Sequence, residues 1–236
     1  MLCNRGDCYT GADNLEVLLD AVNYNRFLVD EIVKASRGAA MAVDFGAGMG
    51  TFATAVKNRG LAVICIEEDA SLLDILHRLG LEAYGSLNTL KDQSLDYIFS
   101  LNVLEHIQDD EEALKTLYVK LKPGGGLLLY VPAFMMLYSS MDRKVGHHRR
   151  YKKNALVKVT QRVGFATEWA LYVDSLGFLV TLIYKMIGNR QGDISPTALK
   201  IYDRLLFPIS RLLDRMGMAH WFGKNLMLMV RRPPAT

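Results

Sequence analysis

Cysteine is scarce in this sequence. There are three, Cys3, Cys8 and Cys65, among 236 residues, an odd number that excludes a disulfide framework. Cys3 and Cys8 match no zinc-ligand spacing, and no metal is expected. Cys65 lies in an apolar run, where a small buried hydrophobe belongs. Charge of one sign is not in excess, with 28 Lys and Arg against 25 Asp and Glu, net +3. That balance is too mild for a nucleic-acid binder, and the basic residues lack interleaved aromatics on which bases would stack. Long hydrophobic runs are missing as well. The longest, SLGFLVTLIY between Asp174 and Lys185, is half of the ~20 residues that cross a bilayer. The first residues show neither a basic segment leading into an apolar one nor a small-residue cleavage site, which predicts a cytosolic protein. No repeat or biased tract occurs, so solenoid, collagen and disordered chains are excluded.

What is present is an even mixture, half apolar and 22% charged, in a chain long enough for one large core. A single domain over 1–236 is expected. Apolar residues at Leu15, Leu18, Leu19, Val22, Phe27, Val29, Ile32 and Val33 recur at helical spacing and predict a helical cap over 10–38. Short apolar runs then alternate with helical patterns across 39–132: strands at 40–45, 61–68, near 81–86, 94–102 and 126–132, with helices between them. The helix before the fifth strand opens on acids and is expected to run on to Pro123 and Gly124. Strands separated by helices predict a doubly wound parallel sheet covered on both faces. Further on come an acceptor-side loop and helix (133–163), GFATEWALYVD as a sixth strand and GKNLMLMVRRP as a seventh. Between those two strands lies a helical insertion at about 175–220, split near Gly188 to Pro196.

In Asp44-Phe-Gly-Ala-Gly-Met-Gly50, three alternating glycines join the first strand to a helix. Such a turn lets a ligand approach the backbone and offers it free N–H groups, so a nucleotide-like ligand is expected at the carboxyl end of that strand. A dinucleotide fingerprint requires a small residue at position 51, where Thr stands. Glu67 closes the second strand, where a carboxylate can accept both ribose hydroxyls. Glu68 and Asp69 adjoin it, and these acids serve equally as caps for the next helix. The Asp-x-Gly-x-Gly-x-Gly turn, Glu67, and the run from Ser94 to Pro132 with Leu104-Glu105-His106 and the proline-glycine turn resemble, in order, the motifs of class I S-adenosylmethionine (SAM) methyltransferases of the type 11 group. The resemblance implies a seven-stranded Rossmann-like sheet with an antiparallel last strand, SAM as cofactor and S-adenosylhomocysteine as product. It implies that Asp44, Gly46, Ala47, Gly48 and Gly50 surround the methionine part, Glu67 holds the ribose, and Asn102 and Val103 lie beneath the sulfur. Relatives often have Asp near position 86; here Ser86 stands there, with Asn88 or a carbonyl as the substitute for the adenine.

His106 follows the fourth strand, at the methyl-transfer face, and is a candidate base or a held core histidine. Gly146-His-His-Arg-Arg-Tyr151 resembles a G-H-x-R-R-Y segment of some type 11 relatives. It makes His147 the first candidate base, and Arg149, Arg150 and Tyr151 bidentate and hydroxyl donors to an anionic acceptor. His77 reads as structural. Tyr24 and Arg26 are expected to close over the cofactor. The acceptor reads as a small molecule or a lipid-linked, amphipathic one, because the apolar insertion and the basic loop can together face an anionic membrane. A dimer contact is the other use of that insertion. Two rival readings stay open: a catalytically idle SAM-fold partner, and a NAD-dependent oxidoreductase, which Thr51 and the lack of a Tyr-x-x-x-Lys pair disfavour.

Overall fold

The computed structural model describes residues 21–187 and 196–234. The helical pattern before residue 21, Cys3 and Cys8, and the break after Ile187 lie outside them. Helix α1 (Val22–Ala35) leads into β1 (Met41–Phe45), followed by α2 (Thr51–Lys57), β2 (Ala62–Ile66), α3 (Ala70–Arg78), β3 (Glu82–Tyr84), β4 (Leu95–Leu101), α4 (Asp110–Lys120) and β5 (Leu121–Pro132). The second half holds α5 (Ser140–Lys144), α6 (Lys153–Val163), β6 (Ala166–Val173), α7 (Ser175–Ile187), α8 (Pro196–Ile201), α9 (Phe207–Arg215) and β7 (Asn225–Arg231). The strands form one sheet in the order β3-β2-β1-β4-β5-β7-β6. β1 to β5 pair parallel, and β7 runs antiparallel between β5 and β6. The parallel, doubly wound part is what the sequence pattern predicts, and the seven strands with an antiparallel last one are what the resemblance implies.

Both faces of the sheet are covered, and the pleat sorts side chains between them. On one face Tyr97, Phe99, Leu128, Tyr130, Met227 and Met229 meet Leu28, Ile32, Ala53 and Val56 from α1 and α2. On the other, Ile98, Leu127, Leu129, Leu226 and Leu228 meet Leu114 and Leu117 from α4 and Leu156 and Val159 from α6. Each fully buried leucine contributes about 1.5–3 kcal/mol, so these two layers carry most of the stability.

Two boundaries differ from the sequence reading. Helix α4 ends at Lys120 instead of running on to Pro123, and β5 begins at Leu121, because proline disfavours helical backbone in the residue before it. Leu121 pairs with Leu95 ahead of a register shift, and regular pairing resumes at Gly126. Residues Tyr202–Leu206 form a π turn before α9. Pro208 explains it, because its missing N–H leaves the carbonyl four residues earlier without a helical partner.

The first turn of α1 depends on a residue far away. Ala21, at its N-cap, offers no side-chain bond. Instead the buried Asp203 accepts from the Asn23 N–H at 2.9 Å and the Tyr24 N–H at 2.9 Å, as a cap residue would. Asp203→Ala is expected to lower stability by about 1–2 kcal/mol. Urea unfolding with an unchanged midpoint would remove this cap from the account.

Candidate functional site

The glycine turn sits at the carboxyl end of β1, beside β4, where the chain reverses its order across the sheet and crevices form. Gly46, Gly48 and Gly50 have φ of +81°, +54° and +78°, the left-handed region that glycine enters without strain. A Cβ at Gly46 would stand 2.3 Å from Val103 Cγ2, and one at Gly50 would stand 2.7 Å from Leu76 Cδ2. A Cβ at Gly48 would meet nothing within 4 Å. The turn is therefore pressed against β4 at one end and α3 at the other, and open in the middle.

Glu67 ties the turn to β2. Its Oε2 accepts from the Gly48 N–H at 2.8 Å and its Oε1 from the Asp69 N–H at 3.0 Å. A carboxylate has about four acceptor positions, so each oxygen keeps one free. Glu68 is exposed, and Asp69 caps α3 through the Ser71 and Leu72 N–H groups. Asp44 is 3% exposed, and no hydrogen bond reaches its carboxylate among the described residues. Burial, reinforced by the charge of Glu67, pushes its pKa up to about 8. Asn102 is exposed and also left-handed, at φ +54°, with its N–H donating to the Tyr130 carbonyl at 2.7 Å. The Ser86 hydroxyl caps a short turn by accepting from the Asn88 N–H.

Directly after Val103, a turn at Leu104–His106 carries a second cluster. His147 Nδ1 lies 2.8 Å from Asp142 Oδ1, and its Nε2 lies 3.7 Å from Glu105 Oε1. The His106 ring stands edge-on to His147 with centroids 4.6 Å apart. Burial, with the charges of His147 and His148, lowers the His106 pKa to about 4, so its imidazole is neutral at pH 7. Glu105 is 0% exposed, its carboxylate accepts no hydrogen bond from any other described residue, and burial lifts its pKa to about 8. Burial also works to raise Asp142, but hydrogen bonds from His147 and Arg150 outweigh it and hold that carboxyl well below the usual range.

The expectation that Arg149, Arg150 and Tyr151 face an anionic acceptor is corrected here. Arg150 does make a bidentate pair, but with the protein's own Asp142, at 2.7 and 3.0 Å. Arg149 pairs with Asp110 at 3.0 Å and with the Gln108 carbonyl. The buried Tyr151 donates to Asp110 Oδ2 at 2.8 Å. The basic run contains no acid, so its partners were invisible in it; they come from helices α5 and α4. Tyr24 is corrected in the same way. Its hydroxyl bonds that of Tyr130 at 2.9 Å, and its ring packs on Phe207, which turns it onto the sheet and α9. Arg26 is exposed. His77 bonds the Ala83 carbonyl at 3.0 Å, a structural contact.

Several residues that the sequence did not single out gather at the same edge of the sheet. Asp142 and Glu105 are two of them. Asp174, 1% exposed with φ +67°, accepts from the Gly177 N–H and the Tyr202 hydroxyl. Lys224, just before β7, has its pKa lowered by burial against the opposing pull of Asp174. They arrive there because β7 is antiparallel and starts where the parallel strands end. The only signal in the sequence was their position next to strand ends.

Residues 43–129 match the family described as Methyltransferase domain. The fold is that of the SAM-dependent methyltransferases. One such structure from Archaeoglobus fulgidus superposes with a TM-score of 0.60 at 16% identity, covering 88% of this chain and 94% of that one. Phosphoethanolamine N-methyltransferase 2 of Haemonchus contortus in complex with S-adenosyl-L-methionine gives 0.53 at 18% identity, over 84% of this chain and 49% of that one. In sequence, the chain is 35% identical over 98 residues to phosphoethanolamine N-methyltransferase 2 of Caenorhabditis elegans, a match covering 37% of this chain and 22% of that protein. The chain thus spans about a fifth of the length of that curated relative.

Asp44 makes a pH prediction. An acid whose pKa is raised by folding, from an ordinary ~3.9 to about 8, is neutral in both states at low pH and costs stability as pH rises between those values. In the ligand-free protein Asp44→Asn is expected to match the parent near pH 4 and to be more stable by about 1–3 kcal/mol at pH 8, roughly 2–4 °C in Tm per kcal/mol. Parallel Tm–pH profiles for the two proteins contradict this.

Proposed function

We propose that the protein transfers a methyl group from SAM to a small-molecule acceptor with a polar head and an apolar remainder. The observation that carries the reading is the pairing of an open glycine turn with two carboxylates suited to the two ends of that cofactor. Asp44 is a buried acid lacking a donor, and an ammonium group beside it would hold it ionised. Glu67 keeps an acceptor position on each oxygen for the ribose, and Glu68 stands beside it. The space at Gly48 admits a ligand against backbone, flanked by Gly46, Ala47 and Gly50. Bound there, SAM supplies a carbon made electrophilic by its sulfonium.

The chain's own work is then alignment and exclusion of water. Asn102 and Val103 form the floor, Val103 being fixed by its contact with Gly46. On the acceptor side, His106 is held neutral, and His147 has Nδ1 tied to Asp142, which leaves Nε2 as the group that receives a proton leaving the acceptor. Arg150 and Tyr151 support this wall from behind. The relatives that act on phosphoethanolamine fit a small polar head. An apolar remainder fits the insertion, where Leu179, Val180, Ile183, Leu205, Ile209 and Leu212 are exposed beside the exposed Arg204 and Arg215. That face suits an anionic lipid surface. No helix among the described residues is long and apolar enough to span a membrane. A dimer through the same face is the competing use, distinguished by elution volume.

Titration calorimetry tests the cofactor claim. SAM and S-adenosylhomocysteine are expected to bind and NAD not to bind. Glu67→Ala should weaken SAM by about 1–3 kcal/mol, a 5- to 150-fold loss. Absence of SAM binding would favour an idle partner of the same fold, and NAD binding an oxidoreductase. For the apolar face, cosedimentation with vesicles rich in anionic lipid is expected, and is lost in Ile209→Asp/Leu212→Asp. Failure of the parent to sediment rejects the membrane contact.

A further inference from the structure

Of the buried acids at the site edge, Asp142 is matched by an arginine and Asp203 by a helix terminus, whereas Glu105 is matched by neither. It is fully enclosed, and both its oxygens lack a hydrogen-bond donor. His147 Nε2 stands 3.7 Å from its Oε1, beyond hydrogen-bond length. A buried acid of this kind holds a proton in the free protein and is ionised only when a cation sits beside it.

The geometry supplies a place for one. One donor atom each from Glu105, His106 and His147 lie within 4.8 Å of one another. Around Zn2+ at ~2.1 Å per bond, tetrahedral donors stand about 3.4 Å apart, so a small rotation of the imidazoles completes the set. Both rings are already oriented by their other neighbours. Asp142 holds His147 Nδ1 at 2.8 Å, and the Val145 backbone bonds His106. A metal-binding histidine usually has such a carboxylate or carbonyl behind it. Asp142 is itself fixed, by Arg150 and by the Ser139 N–H at 2.8 Å.

We infer that Glu105, His106 and His147 bind one divalent first-row transition-metal ion, with Zn2+ as the reference case. Two nitrogens and one carboxylate oxygen suit Zn2+, Co2+ or Mn2+ better than Mg2+ or Ca2+, which prefer oxygen alone. Three protein ligands leave a fourth position for water or an oxygen of a small ligand. The site does not depend on the methyl-transfer reading, but it changes one part of it: His147 Nε2 would hold the cation instead of taking a proton, and the metal would polarise the acceptor's heteroatom, whose proton would leave to water. The sequence pattern marked no metal here because the ligands come from two segments separated by α4, β5 and α5.

The test uses the full chain, stripped with chelator, dialysed and titrated with ZnCl2 by calorimetry, with Co2+ followed by its visible d–d absorption as a second probe. One ion per chain is expected. Glu105→Gln and His147→Ala should each weaken it by at least about 100-fold, and Asp142→Asn by about 10-fold. His77→Ala, outside the cluster, should leave it unchanged. Zn2+ should raise the Tm of the parent and not that of Glu105→Gln. That variant is expected to melt no lower than the stripped parent, because glutamine matches the protonated acid in shape and charge. Should Glu105→Gln not fold, His147→Ala and the Co2+ spectrum decide alone. A folded parent that takes up no Zn2+, or uptake that survives both ligand substitutions, overturns the proposal. SAM titrated in parallel keeps the two claims apart: binding of SAM without Zn2+ removes only the metal site, and binding of Zn2+ without SAM removes only the methyl-transfer reading.

Discussion

The missing side chain at Gly46 is the constraint on which the site depends. Val103 lies so close that even one added carbon would overlap it, and this contact brings the first βα turn against the end of β4. The turn at Leu104–His106 starts from the same residue pair, so the open cradle at Gly48 and the histidine cluster share one rigid origin. Glu67 fixes the other side by holding the Gly48 N–H from β2. A substitution at 46 therefore disturbs both halves of the site at once, with backbone strain at positive φ added to the overlap.

The buried acids divide into two groups. Asp142, Asp174, Asp203 and Asp214 are satisfied from within the chain, by Arg150, by Gly177 and Tyr202, and by the first N–H groups of α1 and of α7. They join elements distant in sequence, and a buried pair of this kind fails badly when only one partner is removed. Asp44 and Glu105 lack such donors, and both stand at the carboxyl ends of parallel strands, β1 and β4. Unpaired buried acids with raised pKa values concentrate at functional sites, and both the proposed cofactor site and the proposed metal site rest on these two.

The alternation of apolar runs with helical patterns was enough to foresee the succession of strands and helices and the two covered faces, because a strand buried on both sides needs apolar residues throughout and its crossover needs a helix. The glycine turn and Glu67 were legible for a related reason: backbone conformation and strand ends are local properties. The end of α4 was misread, although Lys122-Pro123 contained the reason. The role of Arg149, Arg150 and Tyr151 was not legible, since a charged side chain's partner depends on which distant segment folds beside it.

The amino-acid order alone thus determined the alternation of strands and helices, the glycine turn and the acid that closes β2, all of which follow from interactions between near neighbours and from the two hydrophobic periods. Only the tertiary structure decided which charges are neutralised and which remain. Asp142 reaches Arg150, and His147 reaches Glu105 and His106, through the long excursion of α4, β5 and α5, and electrostatic energies in a dry interior depend on separations of a few ångströms that no spacing along the chain encodes.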